Sequence, residues 1–162
     1  MKCANARQVA LLASLGLFTS LIVATSAQTD PQVGLWKLNL AKSRYTSGPG
    51  PKNATTKIEA VGGGTKMTVD QVLADGTSRH YEFTSNYDGK DSKVIGNNPD
   101  ADMVARTRVN ANTVQTVSKK NGKVTTTQLS VVSSDGKTRT VTTKGVGANG
   151  QVVSYVAVYD KQ

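Results

Sequence analysis

From position 55 onward the chain alternates between apolar and polar residues with a period of two, the signature of strands with one buried face. In Ser78 to Thr84, Arg79, Tyr81 and Phe83 share one face, and Ser78, His80, Glu82 and Thr84 share the other. In Lys66 to Leu73, Met67, Val69, Gln71 and Leu73 oppose Lys66, Thr68, Asp70 and Val72. The last segment, 151–160, is apolar on both faces, with Val152, Val156 and Val158 on one and Val153, Tyr155, Ala157 and Tyr159 on the other. Turn dipeptides punctuate this texture at Asp75-Gly76, Asp88-Gly89, Asn121-Gly122, Asp135-Gly136 and Asn149-Gly150. Asn or Asp followed by Gly tolerates positive φ, which makes these strong hairpin signals. The pattern predicts ten strands, at 33–39, 55–61, 65–73, 78–85, 91–96, 103–109, 113–119, 123–133, 138–146 and 151–160. No helical period interrupts them. An all-β antiparallel up-and-down barrel is the simplest closure for such a meander, with a two-sheet sandwich as the alternative.

The first strand carries the only tryptophan, in Val33-Gly34-Leu35-Trp36-Lys37-Leu38-Asn39. Trp36 and Leu38 share a face, and Gly34 is a structural position where the backbone can bend tightly as a barrel closes. The segment 40–53, with Gly48-Pro49-Gly50-Pro51, reads as the longest connection, a surface loop with one helical turn at Leu40-Ala41-Lys42. A loop this long between strands is often a lid or mouth segment, from which Tyr45 either caps a cavity or packs on its own loop.

Residues 1–27 read as a cleavable signal peptide. Lys2 and Arg7 precede an apolar run from Val9 to Val23, and Thr25-Ser26-Ala27 precedes Gln28. The run is too short and too interrupted for a membrane span. An exported chain, periplasmic or secreted, with one domain over 28–162 follows. Cys3 leaves with the signal, so no disulfide or thiolate chemistry remains. Removing Lys2 and Arg7 from 20 basic residues leaves 18 against 11 acids, a net charge of +7. The charge is spread over turns and alternating strand positions, which argues against nucleic acid and allows weak contact with an anionic envelope surface. An outer-membrane barrel is disfavoured, because aromatic girdles are lacking and the outward faces carry Lys, Arg and Asp. A monomer is expected.

Catalytic constellations are absent from the sequence. His80 is the sole histidine and sits on the polar face of its strand, and no nucleophile elbow, phosphate loop or dinucleotide fingerprint occurs. Few ligands remain for a transition metal. Asn98-Pro99-Asp100-Ala101-Asp102 reads as a turn in preference to a calcium loop, and Asn53-Ala54-Thr55 is a short match to a glycosylation acceptor. Neither enzyme activity nor cofactor is expected. A small apolar or amphipathic molecule held inside the barrel is, with Trp36, Met67, Tyr81, Phe83, Arg106, Tyr155 and Tyr159 as candidate wall residues, although a first-strand tryptophan such as Trp36 is more often barrel-bottom core than ligand contact. Low aromatic content, 5%, supports the alternative of a structural or adhesive envelope module acting through its basic outer surface. Arg79, Arg106, Arg108 and Arg139 lie in predicted strands, where most arginines point outward. One that pointed inward would need an anionic partner or a ring of hydrogen bonds.

Gly34-Leu35-Trp36-Lys37-Leu38 resembles the Gly-x-Trp opening strand of the calycins, the superfamily of lipocalins and fatty-acid-binding proteins. Val156-Ala157-Val158-Tyr159-Asp160-Lys161 is similar to the closing strand of the fatty-acid-binding branch. Trp36 to Ser43 also resembles the Trp-Lys-Leu-Asn-x-Ala-Lys-Ser opening of a group of small exported bacterial lipocalin-like proteins. The resemblance implies a ligand-binding barrel and an arginine stacked over the first-strand tryptophan, a role it assigns to Arg139, worth about 0.5–1 kcal/mol when exposed. It departs at two places. A Pro/Gly loop stands where that branch has two helices, and Ala157 stands where its Arg-x-Tyr ligand pair has arginine, leaving Tyr159 alone.

Overall fold

The computed structural model describes residues 29–162, so the expected signal peptide lies outside the described residues. Eleven strands follow one another: β1 Gly34–Tyr45, β2 Asn53–Val61, β3 Gly64–Val72, β4 Ser78–Ser85, β5 Asp88–Lys93, β6 Ile95–Gly96, β7 Met103–Asn110, β8 Thr113–Lys120, β9 Lys123–Val132, β10 Thr138–Val146 and β11 Val152–Lys161. They form a single antiparallel sheet in the order β5-β7-β8-β9-β10-β11-β1-β2-β3-β4-β6. A single sheet of this order is a nearly closed barrel and rules out the two-sheet sandwich. Among the described residues no helix is long and apolar enough to cross a membrane.

The expected fifth strand is divided in two, and the division closes the ring. β5 pairs with β7, as in Ser92 opposite Val104, whereas β6 pairs with β4, as in Ile95 opposite Glu82. Only Val94 separates them, so the two ends of the sheet order are joined covalently by one residue. Gly96 makes the crossing feasible. Its φ is +102°, and a side-chain carbon there would collide with the His80 carbonyl oxygen. Asp88-Gly89, expected to be a hairpin turn, instead sits in β5 at an irregularity in the β5–β7 ladder.

β1 runs past the expected boundary and absorbs the predicted helical turn as a wide bulge. Asn39 faces Val158 and Arg44 faces Val156, so the four residues between them oppose one residue of β11. Side chains satisfy the displaced backbone: Asn39 Oδ1 accepts from the Lys42 amide at 3.1 Å, and the Ser43 hydroxyl donates to the Asn39 carbonyl at 2.7 Å. The Ser43 hydroxyl also accepts from the Val158 amide at 2.9 Å. Short polar side chains that bond their own backbone here compete with a helical turn.

One end of the barrel is filled. Trp36, Ile58, Val114 and Val132 are fully buried there. The turn before β1 plugs this end: Gln32 is fully buried, and its carbonyl accepts the Trp36 indole N–H at 2.9 Å. Its amide nitrogen donates to the Asn112 carbonyl at 3.0 Å. Asp30 accepts from Arg108, tying the same turn to β7. Packing thus consumes this half of the interior and leaves the other half for a site.

Candidate ligand cavity

The open half encloses a cavity of about 410 Å³. Its mouth is framed by the connections after β1, β3, β6 and β10, with Pro49, Leu73, Asn98 and Gln151 on its rim. The β1–β2 connection therefore stands at the mouth, as a lid or mouth segment would. Tyr45, at the end of β1, packs on Tyr155 with ring centroids 5.3 Å apart and planes inclined by 31°.

The wall has two chemically different sides. Period-two alternation turns Met67 of β3, Tyr81 and Phe83 of β4, and Tyr155 and Tyr159 of β11 inward, and all five line the cavity. Facing them, β8, β9 and β10 turn Thr116, Ser118, Thr126, Gln128, Ser130 and Thr143 inward. The ladder stacks these polar groups: Thr116 opposes Gln128, which opposes Thr143. Burial pushes the phenols of Tyr81, Tyr155 and Tyr159 upward, and that of Tyr45 to about 12, so all four are neutral hydroxyls at physiological pH.

Arg139 stands at the floor of this cavity. It is 5% exposed, its Nε donates to the Ser130 hydroxyl at 2.8 Å, and that hydroxyl donates to Gln32 Oε1 at 3.0 Å. A chain of hydrogen bonds thus runs from the indole of Trp36 through Gln32 and Ser130 to the guanidinium. The Arg139 Cζ lies 5.5 Å from the Tyr159 ring centroid. Its Nη1 has no partner among the described residues. Desolvation lowers its pKa to about 10, which still leaves a full positive charge at neutral pH. At the mouth Arg79 faces Asp100, with Nη1 3.6 Å from Oδ2.

Two expected wall residues are elsewhere. Trp36 is fully buried in the filled half, and Arg106, 1% exposed, lies against Phe83 and Tyr87; neither lines the cavity. Arg139 does not stack on Trp36. Register explains why: Arg139 lies opposite Tyr159, whereas Lys161 lies opposite Trp36, and the Lys161 ammonium takes the position over the indole. Gly34 serves that contact. The Lys161 Cε stands 2.5 Å from where a side-chain carbon would be, and φ is +146°. Residues missed from the sequence are Ser130, Gln128, Thr143 and Gln32, because an inward hydroxyl or amide has no pattern distinguishing it from an outward one.

Fold and cavity together define an antiparallel β-barrel with a half-filled, two-sided interior. No family model matches the chain, and no curated protein does. Among solved structures, it is similar to zebrafish ileal bile acid-binding protein complexed with cholic acid, at 14% identity over 82% of this chain and 99% of that one, with a TM-score of 0.47.

Proposed function

We propose that this protein is an exported, non-catalytic binding protein that reversibly holds a small amphipathic organic anion inside its barrel. The observation that carries the reading is Arg139. A guanidinium buried without a carboxylate partner, with a free N–H in a cavity, is costly unless an anion meets it. The cavity volume falls within the range of about 300–1,000 Å³ usual for small-molecule sites. Met67, Phe83 and the tyrosines supply an apolar surface, and the hydroxyls and amide of β8–β10 supply hydrogen bonds to polar substituents. The ligand is therefore anionic at one end and apolar along one side.

Native mass spectrometry of the protein isolated from its host's exported fraction, before and after organic extraction, tests this. An extra mass lost on extraction, and not regained by Arg139→Met when the extract is returned, is the expected result. A clean apo mass in wild type would overturn the reading and return the chain to a structural or adhesive envelope role. The same spectrum tests export, since cleavage predicts an N-terminus at Gln28.

A further inference from the structure

The barrel holds a second buried guanidinium, outside the cavity wall and independent of the reading above. Arg106 projects inward from β7 and donates through Nη1 to the Thr65 hydroxyl at 3.0 Å. That hydroxyl in turn donates to the Tyr87 phenol oxygen at 3.1 Å. The Tyr87 ring lies 4.6 Å from the Arg106 Cζ and 4.2 Å from the Arg108 Cζ, so one ring serves two guanidiniums. Tyr87 holds this position with φ at +58°, in the left-handed region. Strain of that kind persists only where the surroundings enforce it.

The remaining donors of Arg106, Nε and Nη2, are buried and have no partner among the described residues. These two N–H groups emerge in parallel from one edge of the guanidinium, the fork that grips an anion bidentately. A third donor accompanies them. The Ser85 hydroxyl is buried and likewise without a partner, and Ser85 lies directly opposite Thr65 in the β3–β4 ladder, on the same inward face. The Asp30 carboxylate acts on Arg106 only through space, because its direct partner is Arg108, so two guanidiniums share one acid. The unpaired groups of the cluster are all able to donate, and two guanidiniums against one carboxylate leave one net positive charge beneath two aromatic rings.

We propose that the free edge of Arg106 and the hydroxyl of Ser85 form a binding site for a small monovalent inorganic anion, such as chloride or nitrate, separate from the cavity at Arg139. Small size follows from the enclosure of Arg106, and single charge follows from the one guanidinium left to neutralise. The site lies at the seam where β4 gives way to β5, so its occupant braces the junction that closes the barrel.

The test uses the purified protein in sodium gluconate, whose anion is too bulky to reach a residue 1% exposed. Sodium chloride or nitrate then replaces gluconate at fixed ionic strength. The expected result is a saturable rise in Tm, roughly 5 °C by ~200 mM, as for a ligand binding only the folded state. Ser85→Ala keeps the guanidinium and should weaken the response roughly tenfold in anion concentration. A bromide-soaked crystal should show its anomalous peak at Arg106 Nε and Nη2. Equal Tm values in gluconate and chloride, an unchanged response in Ser85→Ala, or bromide at Arg139 with none at Arg106 would each overturn the proposal.

Discussion

The Lys161 ammonium stands 5.1 Å from the centroid of the Trp36 ring, reaching it from the last strand across the backbone of Gly34. The contact joins the first and last strands by three elements that depend on one another: an indole, a cation and the missing side chain between them. Gly34→Ala should cost about 1–3 kcal/mol in urea unfolding, because it strains a positive φ and pushes the lysine aside. Lys161→Met should cost about 0.5–1 kcal/mol. In the double variant the losses should sum to less than the two singles, since the first already removes part of what the second removes. Full additivity would show the two sites to be independent.

Arg139→Met carries a more discriminating expectation. Removing the headgroup partner should abolish ligand retention, yet replacing a buried, unpaired charge with an apolar side chain of similar length should leave the apo protein as stable or about 1–4 kcal/mol more stable. Denaturant midpoints of extracted wild type and variant decide it. A large loss of stability would mean that Arg139 holds the fold together and serves no ligand.

Gln32→Ala should be the more damaging change despite its position far along the hydrogen-bond chain. It leaves the Ser130 hydroxyl without its acceptor and opens a space under Trp36. A loss of roughly 2–4 kcal/mol is expected, combining the orphaned groups with the cavity. Arg139, no longer oriented through Ser130, should bind the extracted ligand several-fold more weakly, measured by back-titration on folded protein.

Alkaline pH should unfold the barrel steeply. Between about pH 10 and 12 the unfolded chain loses phenolic protons that folded Tyr45, Tyr81, Tyr155 and Tyr159 keep, so the unfolded state binds fewer protons and stability falls as pH rises. Arg139 runs the opposite way. Its folded form releases at about 10 a proton that the unfolded chain still holds throughout this window, which adds stability as pH rises. Four phenols outweigh one guanidinium. Urea titrations at pH 8, 9, 10 and 11, with tyrosinate absorbance recorded alongside, should show phenol ionisation coincident with unfolding, and a steeper fall in Arg139→Met. Stability that stays level to pH 11 would contradict this.

The strands and the aromatic wall were legible because both are written locally. Tyr81 and Phe83 sit two residues apart, and a period of two turns them together whatever the rest of the chain does. Register was not legible. Whether Arg139 or Lys161 meets Trp36 depends on the length of the β10–β11 turn and on a bulge between Asn39 and Arg44, and neither alters the alternation. All four strand arginines defied the usual outward preference for one reason: Arg79 shares a face with Tyr81 and Phe83, Arg106 and Arg108 share one with Val104, and Arg139 shares one with Val141. The split of 91–96 left no mark because Asp-Ser-Lys-Val-Ile-Gly carries no period. The hydroxyl wall was hidden because threonine suits either side of a strand.

The crossing at Val94 bears on how such a chain survives at high concentration. Strands rich in threonine and valine, with few prolines to interrupt them, are the material from which intermolecular ladders grow wherever a sheet presents an unpaired border. Here the two borders are successive pieces of one run, held one residue apart, and the border piece on one side is only two residues long. An incoming strand from another molecule would have to displace a tethered segment that rebinds at once. The seam that shapes the interior is therefore also the protein's protection against templating its own fibrils.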